Sequence, residues 1–425
     1  MIIVDSALKK REAENNPVKV GIIGAGYMGR GTVLTIEKSV PGMKVAALYN
    51  RTIEKAEKGY EQAGVDNFRR VATVDELESI VDEDGYAVTD NPYLLCEARN
   101  LDVIIEATGE IEFGTKVTLS AIENGKHVVL MNAELDATIG PILKKYADEK
   151  GVVITNADGD QPGVLMNLMR FTETIGYKPV LAGNIKGMID HYRNPDTQKE
   201  FARKHKQKPK MVTSFADGTK ISMEMAVVAN ATGFRSDVRG MHGPKCSHAT
   251  EAIDLFSEKQ LLGGGTIDYI LGAEPGPGVF VIAHNENPVL QDYMAYFKMG
   301  DGPFYVFYVP YHLPHLEVPI TAARAVLFGD AAIAPKGGPV CEVIAVAKKD
   351  LKKGEELDGI GGFCCYSTID NSEIARKENL LPMGLSVGAI LKNDVKKDSP
   401  LTFDDVKLPD DLVSVKMWEE QKIQF

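Results

Sequence analysis

The run Val18-Lys19-Val20-Gly21-Ile22-Ile23, followed at once by Gly24-Ala25-Gly26-Tyr27-Met28-Gly29, constrains this chain more than any other segment. Its first part is almost continuously apolar and β-branched, which predicts a strand buried on both faces rather than one alternating between core and water. The glycines then stand in the spacing G-x-G-x-x-G, and residues 32–38 read as a helix. Strand, glycine turn and helix in that order set free helix amides against a pyrophosphate, the glycines permitting the tight turn and the close approach. Gly24, Gly26, Tyr27, Met28 and Gly29 are therefore candidate contacts to a dinucleotide. A glycine-rich turn without a ligand is the competing reading, and the flanking elements weigh against it.

A second strand at 44–49 should end on an acidic residue that accepts hydrogen bonds from a ribose. It ends instead in Asn50-Arg51-Thr52. A guanidinium beside two polar side chains suits a ribose 2′-phosphate, which a carboxylate would repel, so the expected cofactor is NADP(H). More strands follow at 102–107, 127–130 and 152–154 with helical stretches between them, the alternation of a doubly wound parallel sheet. The turns Thr108-Gly109 and Asn132-Ala133 fall on its carboxyl edge, so Thr108, Gly109 and Asn132 join the cofactor set. Here the chain resembles the homoserine dehydrogenase-like NAD(P) oxidoreductases, which have a Thr-Gly after the corresponding strand and commonly Asn-Lys after the next. Ala133 stands where that lysine would be, so a lysine near the nicotinamide has to come from elsewhere.

The chain has 425 residues, enough for two or three domains, with 44% hydrophobic and 25% charged residues, an ordinary globular balance. Lys and Arg number 48 against 60 Asp and Glu, and the net charge of −12 opposes a nucleic-acid partner while leaving room for one small anion. Five cysteines, with Cys364 and Cys365 adjacent, do not form a disulfide framework, and a reducing cytoplasm is expected. Only four residues precede Asp5 and no apolar run approaches the roughly 20 residues of a membrane span. Neither a signal peptide nor a membrane partner is expected.

From about residue 156 the alternation gives way to turn-rich, polar and aromatic segments. Two of them concentrate reactive groups. In Gly183-Asn184-Ile185-Lys186-Gly187, Lys186 stands at a strand end where it can donate to a substrate oxygen, although a solvated loop lysine has the same local sequence. In 214–233, Asp217 reads as the N-cap and Gly233 as the stop of an apolar helix. Lys220 and Glu224 sit at i and i+4 on it. Such a pair is usually a surface salt bridge, but few other charges occur on this helix, and a buried pair points to proton donation. The expected catalytic set is Lys186, Lys220, Asp217 and Glu224.

Next, Arg235, Arg239, His242 and Lys245 lie in one glycine-punctuated loop, the expected anchor for a phosphate or carboxylate. His242, Cys246 and His248 match no structural zinc spacing. A divalent ion enters only if the reaction rearranges a hydroxyketone, and no carboxylate cluster marks its site. The basic run at 203–208 lacks interleaved aromatics and reads as a solvated surface. His312 and His315 flank Pro314 in an aromatic-rich turn and read as structural first, ahead of a helix at 322–328 that returns to the first domain.

The tail repeats itself. Asp350-Leu351-Lys352-Lys353 to Leu357 recurs as Asp394-Val395-Lys396-Lys397 to Leu401, which predicts a small all-β unit with an internal pseudo-repeat. It resembles the SAF module, a β-clip unit. Together with the first two segments it makes the chain similar to the SAF-domain oxidoreductases that include deoxyxylulose-phosphate reductoisomerase-like enzymes. That resemblance implies a doubly wound Rossmann domain at 1–160 completed by a helix near 318–329, an α+β catalytic domain at 161–317 and a β module at 330–425. It also implies an NADPH-dependent reductase or reductoisomerase for a small, phosphorylated carbonyl substrate, assembled as a homo-oligomer by default. Homoserine dehydrogenase activity and a non-catalytic NADP-binding protein are the alternatives.

Overall fold

A computed structural model describes residues 2–425 and divides into two compact units. The first comprises the chain up to Gly163, Leu313–Ala334 and Lys416–Gln421. The second comprises Val164–His312, Pro335–Val415 and Lys422–Phe425. No helix among the described residues is long and apolar enough to cross a membrane.

The first unit is built on seven strands: β1 (Val18–Ile23), β2 (Met43–Tyr49), β3 (Phe68–Arg70), β4 (Tyr86–Thr89), β5 (Val103–Glu106), β6 (His127–Leu130) and β7 (Ile154–Asn156). They are all parallel, in the order β3-β4-β2-β1-β5-β6-β7. The apolar run Val18–Ile23 lies at the centre. Val18, Val20 and Ile22 are wholly buried there, each contributing about 1.5–3 kcal/mol relative to exposure. Lys19 alone is half-buried, and its N–H donates to Asp102 Oδ2 at 2.7 Å. The chain reverses its winding at β1, so the crevice of the sheet lies above the carboxyl ends of β1 and β5.

The lead-in forms the helix Ile2–Ala13, and the helix after the glycine turn spans Tyr27–Ser39, starting earlier than its apolar residues alone indicate. The helix Pro314–Phe328 packs into this unit, with Val318, Ala322 and Ala323 joining Val33 and Ile36 in one core. Polar bonds fix it as well. Arg324 Nη1 meets Asp158 Oδ1 at 2.9 Å, both side chains being less than a tenth exposed, and Thr321 Oγ1 accepts the Asp158 N–H at 2.7 Å.

The second unit carries a mixed five-stranded sheet of β8 (Lys178–Lys186), β9 (Arg235–Ser236), β10 (Thr266–Leu271), β11 (Gly278–His284) and β12 (Phe304–Val309), ordered β12-β11-β8-β10-β9. β8 runs antiparallel to β11 and parallel to β10. Phe280 and Ile282 pack with Leu181, Ile185 and Ile270 beneath it. The buried helix Thr219–Thr232 begins at Gly218, with φ 92°, and ends at Gly233, with φ 85°. The N-cap position therefore belongs to Gly218, one residue beyond the expected Asp217. Asp217 still accepts the Thr219 N–H at 3.0 Å through Oδ1.

In the tail, β13 (Cys341–Ala347) pairs antiparallel with β14 (Cys365–Asn371), and β15 (Ile390–Leu391) with β16 (Val406–Lys407). Short helices, among them Ser372–Lys377, stand beside the strands, so the tail is not the all-β unit that its repeat predicts. The two repeat copies pair with each other. Leu351 and Val395 exchange both backbone hydrogen bonds, at 2.8 and 3.0 Å. Asp394 Oδ1 accepts the Lys353 N–H and Asp350 Oδ1 the Lys397 N–H, both at 2.9 Å, so each copy's aspartate caps the other's turn.

Candidate active site

The dinucleotide loop is built as the glycine spacing requires. Gly24 adopts φ +116°, and a Cβ on Gly29 would lie 1.9 Å from the Gly24 carbonyl oxygen, so no side chain fits there. A Cβ on Gly26 would meet nothing within 4 Å. The helix that follows has Gly26 as its N-cap and no side-chain cap bond, leaving its first amides to an anion. Asn50 Oδ1 accepts the Ala25 N–H at 3.2 Å and Nδ2 donates to Thr52 O at 2.8 Å, tying this loop to the end of β2. Arg51 and Thr52 are exposed there and Tyr27 is exposed on the helix. These residues fit a dinucleotide: an open backbone cradle for the pyrophosphate, with a cation at the edge that receives the ribose.

The turn after β5 is held by Glu106, which is wholly buried and accepts from the Thr108 N–H at 2.8 Å and from the Thr108 hydroxyl. Burial raises its carboxyl, opposed by the hydrogen bonds from Thr108 and Asn132. Gly109 has φ 71°. Asn132, expected to face the cofactor, is instead wholly buried as the N-cap of the helix Ala133–Lys150. Its Oδ1 accepts the Leu135 N–H at 3.1 Å and its Nδ2 reaches Glu110 O at 3.3 Å, so it secures the turn from beneath. Ala133, at the lysine position of the homoserine dehydrogenase-like pattern, is buried too. Asp136, one helical turn on, is buried and pushed up to about 7 by desolvation, with Asn156 Nδ2 at 3.3 Å. His315, on the helix that joins this unit, sets its ring edge-on to Tyr27, 6.3 Å between centroids.

In the second unit Glu224 collects two donors at the end of β8. Lys186 Nζ lies 3.0 Å and Asn184 Nδ2 2.9 Å from Glu224 Oε2, with the Glu224 side chain 3% and that of Lys186 16% exposed. Strand β8 directs Asn184 and Lys186 to one side, two residues apart. Lys220, the partner that helical spacing offered, lies one turn before Glu224 and is half-buried. Asp217 is wholly buried and receives Lys348 Nζ at 2.9 Å. Lys348 also donates to the carbonyls of Arg193 and Gly362 at 2.7 and 2.9 Å, so all its protons are placed.

The expected anion anchor is not assembled. Arg235 pairs with Glu373 at 2.5 Å, and Arg239 with both Asp370 at 2.5 Å and Glu378 at 2.7 Å. His242 Nε2 lies 2.7 Å from Asp237, and its N–H is directed to Asp268. Lys245 is exposed and its backbone bridges to Leu271. Carboxylates from distant segments have neutralised the loop. Among the described residues no three His, Cys, Asp or Glu side chains converge as a metal site.

Three family models match along the chain. Residues 18–131 match an oxidoreductase family with an NAD-binding Rossmann fold, residues 159–318 the catalytic domain of oxidoreductase DRL, and residues 342–407 the SAF domain. The chain thus carries a segment similar to a GFO/IDH/MocA NAD-binding Rossmann domain, one similar to the DRL catalytic domain and one similar to the SAF domain. The chain is 33% identical over 138 residues to the homoserine dehydrogenase of Pseudomonas aeruginosa, and 28% identical over 134 residues to that of Bacillus subtilis. Each match takes in 32% of this chain and only 28% of the relative's length. Among solved structures it is similar to a probable dehydrogenase from Thermotoga maritima, at 11% identity and a TM-score of 0.44, covering 75% of this chain and 90% of that one. A scyllo-inositol dehydrogenase from Lactobacillus casei with bound NAD(H) gives 15% identity, a TM-score of 0.37 and coverage of 63% and 73%.

Sequence reasoning missed four residues of the candidate site. Glu106 had a visible signal, a carboxylate ending the otherwise apolar strand Val103–Glu106. Asn184 had one too, two residues before Lys186. Lys348 had none, because its partner Asp217 is 131 residues away. Asp136 looks like an ordinary helix-start acid in sequence.

Proposed function

We propose that the chain is an NADPH-dependent reductase of a small polar carbonyl compound, with Lys186 as the proton donor. The pair Lys186–Glu224 carries this reading. A lysine mostly withdrawn from water, fixed at a strand end by a carboxylate that an asparagine also holds, is arranged to deliver one proton along one direction. The Gly24–Gly29 loop would hold a nicotinamide dinucleotide, which would provide the hydride chemistry. Lys186 Nζ provides the proton for the carbonyl oxygen, which completes reduction to an alcohol. Glu224 keeps the ammonium in place and Asn184 keeps Glu224 in place. The Asp217–Lys348 pair clamps the start of the helix that bears Glu224.

Exposed Arg51, which follows β2 where an acidic residue would otherwise end the strand, supports NADPH over NADH. The carboxylates around Arg235 and Arg239 argue against this loop as the holder of a substrate phosphate, so a phosphorylated substrate such as deoxyxylulose phosphate has to be recognised elsewhere. The test is a screen of NADPH oxidation over ketoses, aldoses and amino-acid semialdehydes, each sugar with and without its phosphate, followed by Lys186→Met on the best substrate. Loss of a general acid should lower kcat by about 10²–10⁴. An unchanged kcat overturns the assignment, and turnover confined to homoserine and its semialdehyde replaces it with a homoserine dehydrogenase.

A further inference from the structure

The second unit carries a half-open cavity of about 370 Å³ that the reaction above does not use. Its walls come from distant stretches: His191 in the loop after β8, Ser222 in the buried helix, Tyr366, Ser367 and Thr368 on β14, and Asp398 in the second repeat copy. Catalytic domain and SAF domain thus each supply part of it. The volume is within the range of small-molecule sites.

The polar groups define the guest. Ser222 and Ser367 are 3% and 1% exposed, and the Ser367 hydroxyl has no hydrogen-bond partner. His191 Nδ1 faces the Asp217 carbonyl at 2.8 Å. A carbonyl only accepts, so Nδ1 carries a proton, which leaves Nε2 as the ring nitrogen for a guest. At the rim Asp398 takes the hydroxyls of Tyr192 and Tyr366 at 3.0 and 3.3 Å and retains lone pairs for more donors. The His191 and Tyr366 rings stack 4.4 Å apart at 19° and form one flat aromatic wall. The guanidinium on the lining, Arg239, is offset by Asp370 and Glu378.

The cavity therefore presents hydroxyls, acceptors, an aromatic face and a local charge that is not positive. An anion finds no net positive charge there, and a purely apolar guest would leave the hydroxyls and Asp398 unanswered. We propose that this cavity binds a small neutral polyhydroxylated molecule, a free sugar or polyol, whose hydroxyls donate to Asp398, meet His191 Nε2 and satisfy Ser367. The site lies in one compact unit and needs no bound nicotinamide, so it stands apart from the proposed reduction.

The experiment is isothermal titration of the full chain, without cofactor, with ribitol, xylose and myo-inositol, and with ribitol 5-phosphate as the anionic comparison. At least one neutral polyol should bind with a Kd of about 1 mM or tighter. Ribitol 5-phosphate should bind more weakly than ribitol. Thr368→Ile, which fills the cavity from a strand position that tolerates β-branching, should weaken binding about tenfold or more. Asp398→Asn removes the charge, while asparagine accepts the φ of 65° at this residue, so it decides the matter if the first variant does not fold. Absence of binding by all three polyols overturns the proposal. So does tighter binding of the phosphate, or wild-type affinity in folded Asp398→Asn.

Discussion

Asp136 makes the stability of the first unit pH-dependent in a direction opposite to that of most carboxylates. It is buried on the helix that follows β6, touched by one weak donor, Asn156 Nδ2 at 3.3 Å. Desolvation pushes its carboxyl from the ordinary 3.8 up to about 7. Below pH 4 it is protonated in both folded and unfolded chains and has no effect on stability. Between pH 4 and 7 the unfolded chain releases the proton and the folded chain keeps it, so each pH unit costs about 1.4 kcal/mol. Above pH 7 the whole penalty is in force, at most about 4 kcal/mol from the span between those two values. Asp136→Asn removes the ionisation while its amide oxygen still accepts from Asn156. The variant should match wild type at pH 4 and exceed it by up to about 4 kcal/mol at pH 8. The sole tryptophan, Trp418, is buried in the same unit, so its fluorescence in urea titrations at successive pH values reports the unit that matters. Glu106 is raised by burial as well, but it is common to both proteins and drops out of the difference. Wild type and variant curves that stay parallel from pH 4 to pH 8 would refute the reasoning.

Three further outcomes follow from the geometry. Arg51→Asp should raise the KM for NADPH tenfold or more while leaving that for NADH nearly unchanged, and equal effects in steady-state kinetics would remove Arg51 from 2′-phosphate recognition. Gly29→Ala puts a Cβ into the Gly24 carbonyl and should abolish measurable NADPH binding by fluorescence titration, because the loop cannot hold its turn. Lys348→Met leaves Asp217 charged and buried without its cation, which should cost about 3–5 kcal/mol in chemical denaturation. Asp217→Asn in the same chain should restore part of that loss, and an absence of rescue would show that Lys348 matters through the Arg193 and Gly362 carbonyls instead.

The centre and one edge of the first unit's sheet are legible because their information is local: a continuous apolar strand, a glycine turn and a helix are adjacent in sequence, and their order determines the crossover; the short strands β3 and β4 on the other edge carry no such signal. The repeat in the tail was legible for the same reason, although only the structure shows the copies capping each other through Asp350 and Asp394. Side-chain partners across the chain were not. Helical spacing correctly placed Lys220 near Glu224, but the cation that meets Glu224 from β8 is Lys186, 38 residues away. Asp217 was picked out as a cap, and its burial against Lys348 depends on a module that begins more than 100 residues later. Asn132 was read as a cofactor contact because it stands in a carboxyl-edge turn, whereas the helix after it needed a cap and took its side chain.

The loop from Arg235 to Lys245 shows why local charge is a poor guide to ligand charge. In sequence it is a cluster of cations inside an acidic protein, and a cluster of that kind normally marks an anion site. The acidic excess of the chain is not spread evenly against it. Asp370 comes from β14, Glu373 from the helix after it and Glu378 from that helix's C-cap, and they reach Arg235 and Arg239 at 2.5–2.7 Å. The same strand that neutralises the loop supplies Tyr366, Ser367 and Thr368 to the cavity beside it. A single element thus removes the positive charge and installs hydroxyls, which moves the ligand preference of this surface from phosphate toward neutral oxygen-rich molecules. Reversing the charge balance with Asp370→Asn and Glu378→Gln frees Arg239. That double variant should bind inorganic phosphate in calorimetry where the wild-type chain does not, and equal phosphate affinity in the two proteins would show that the carboxylates do not set the preference.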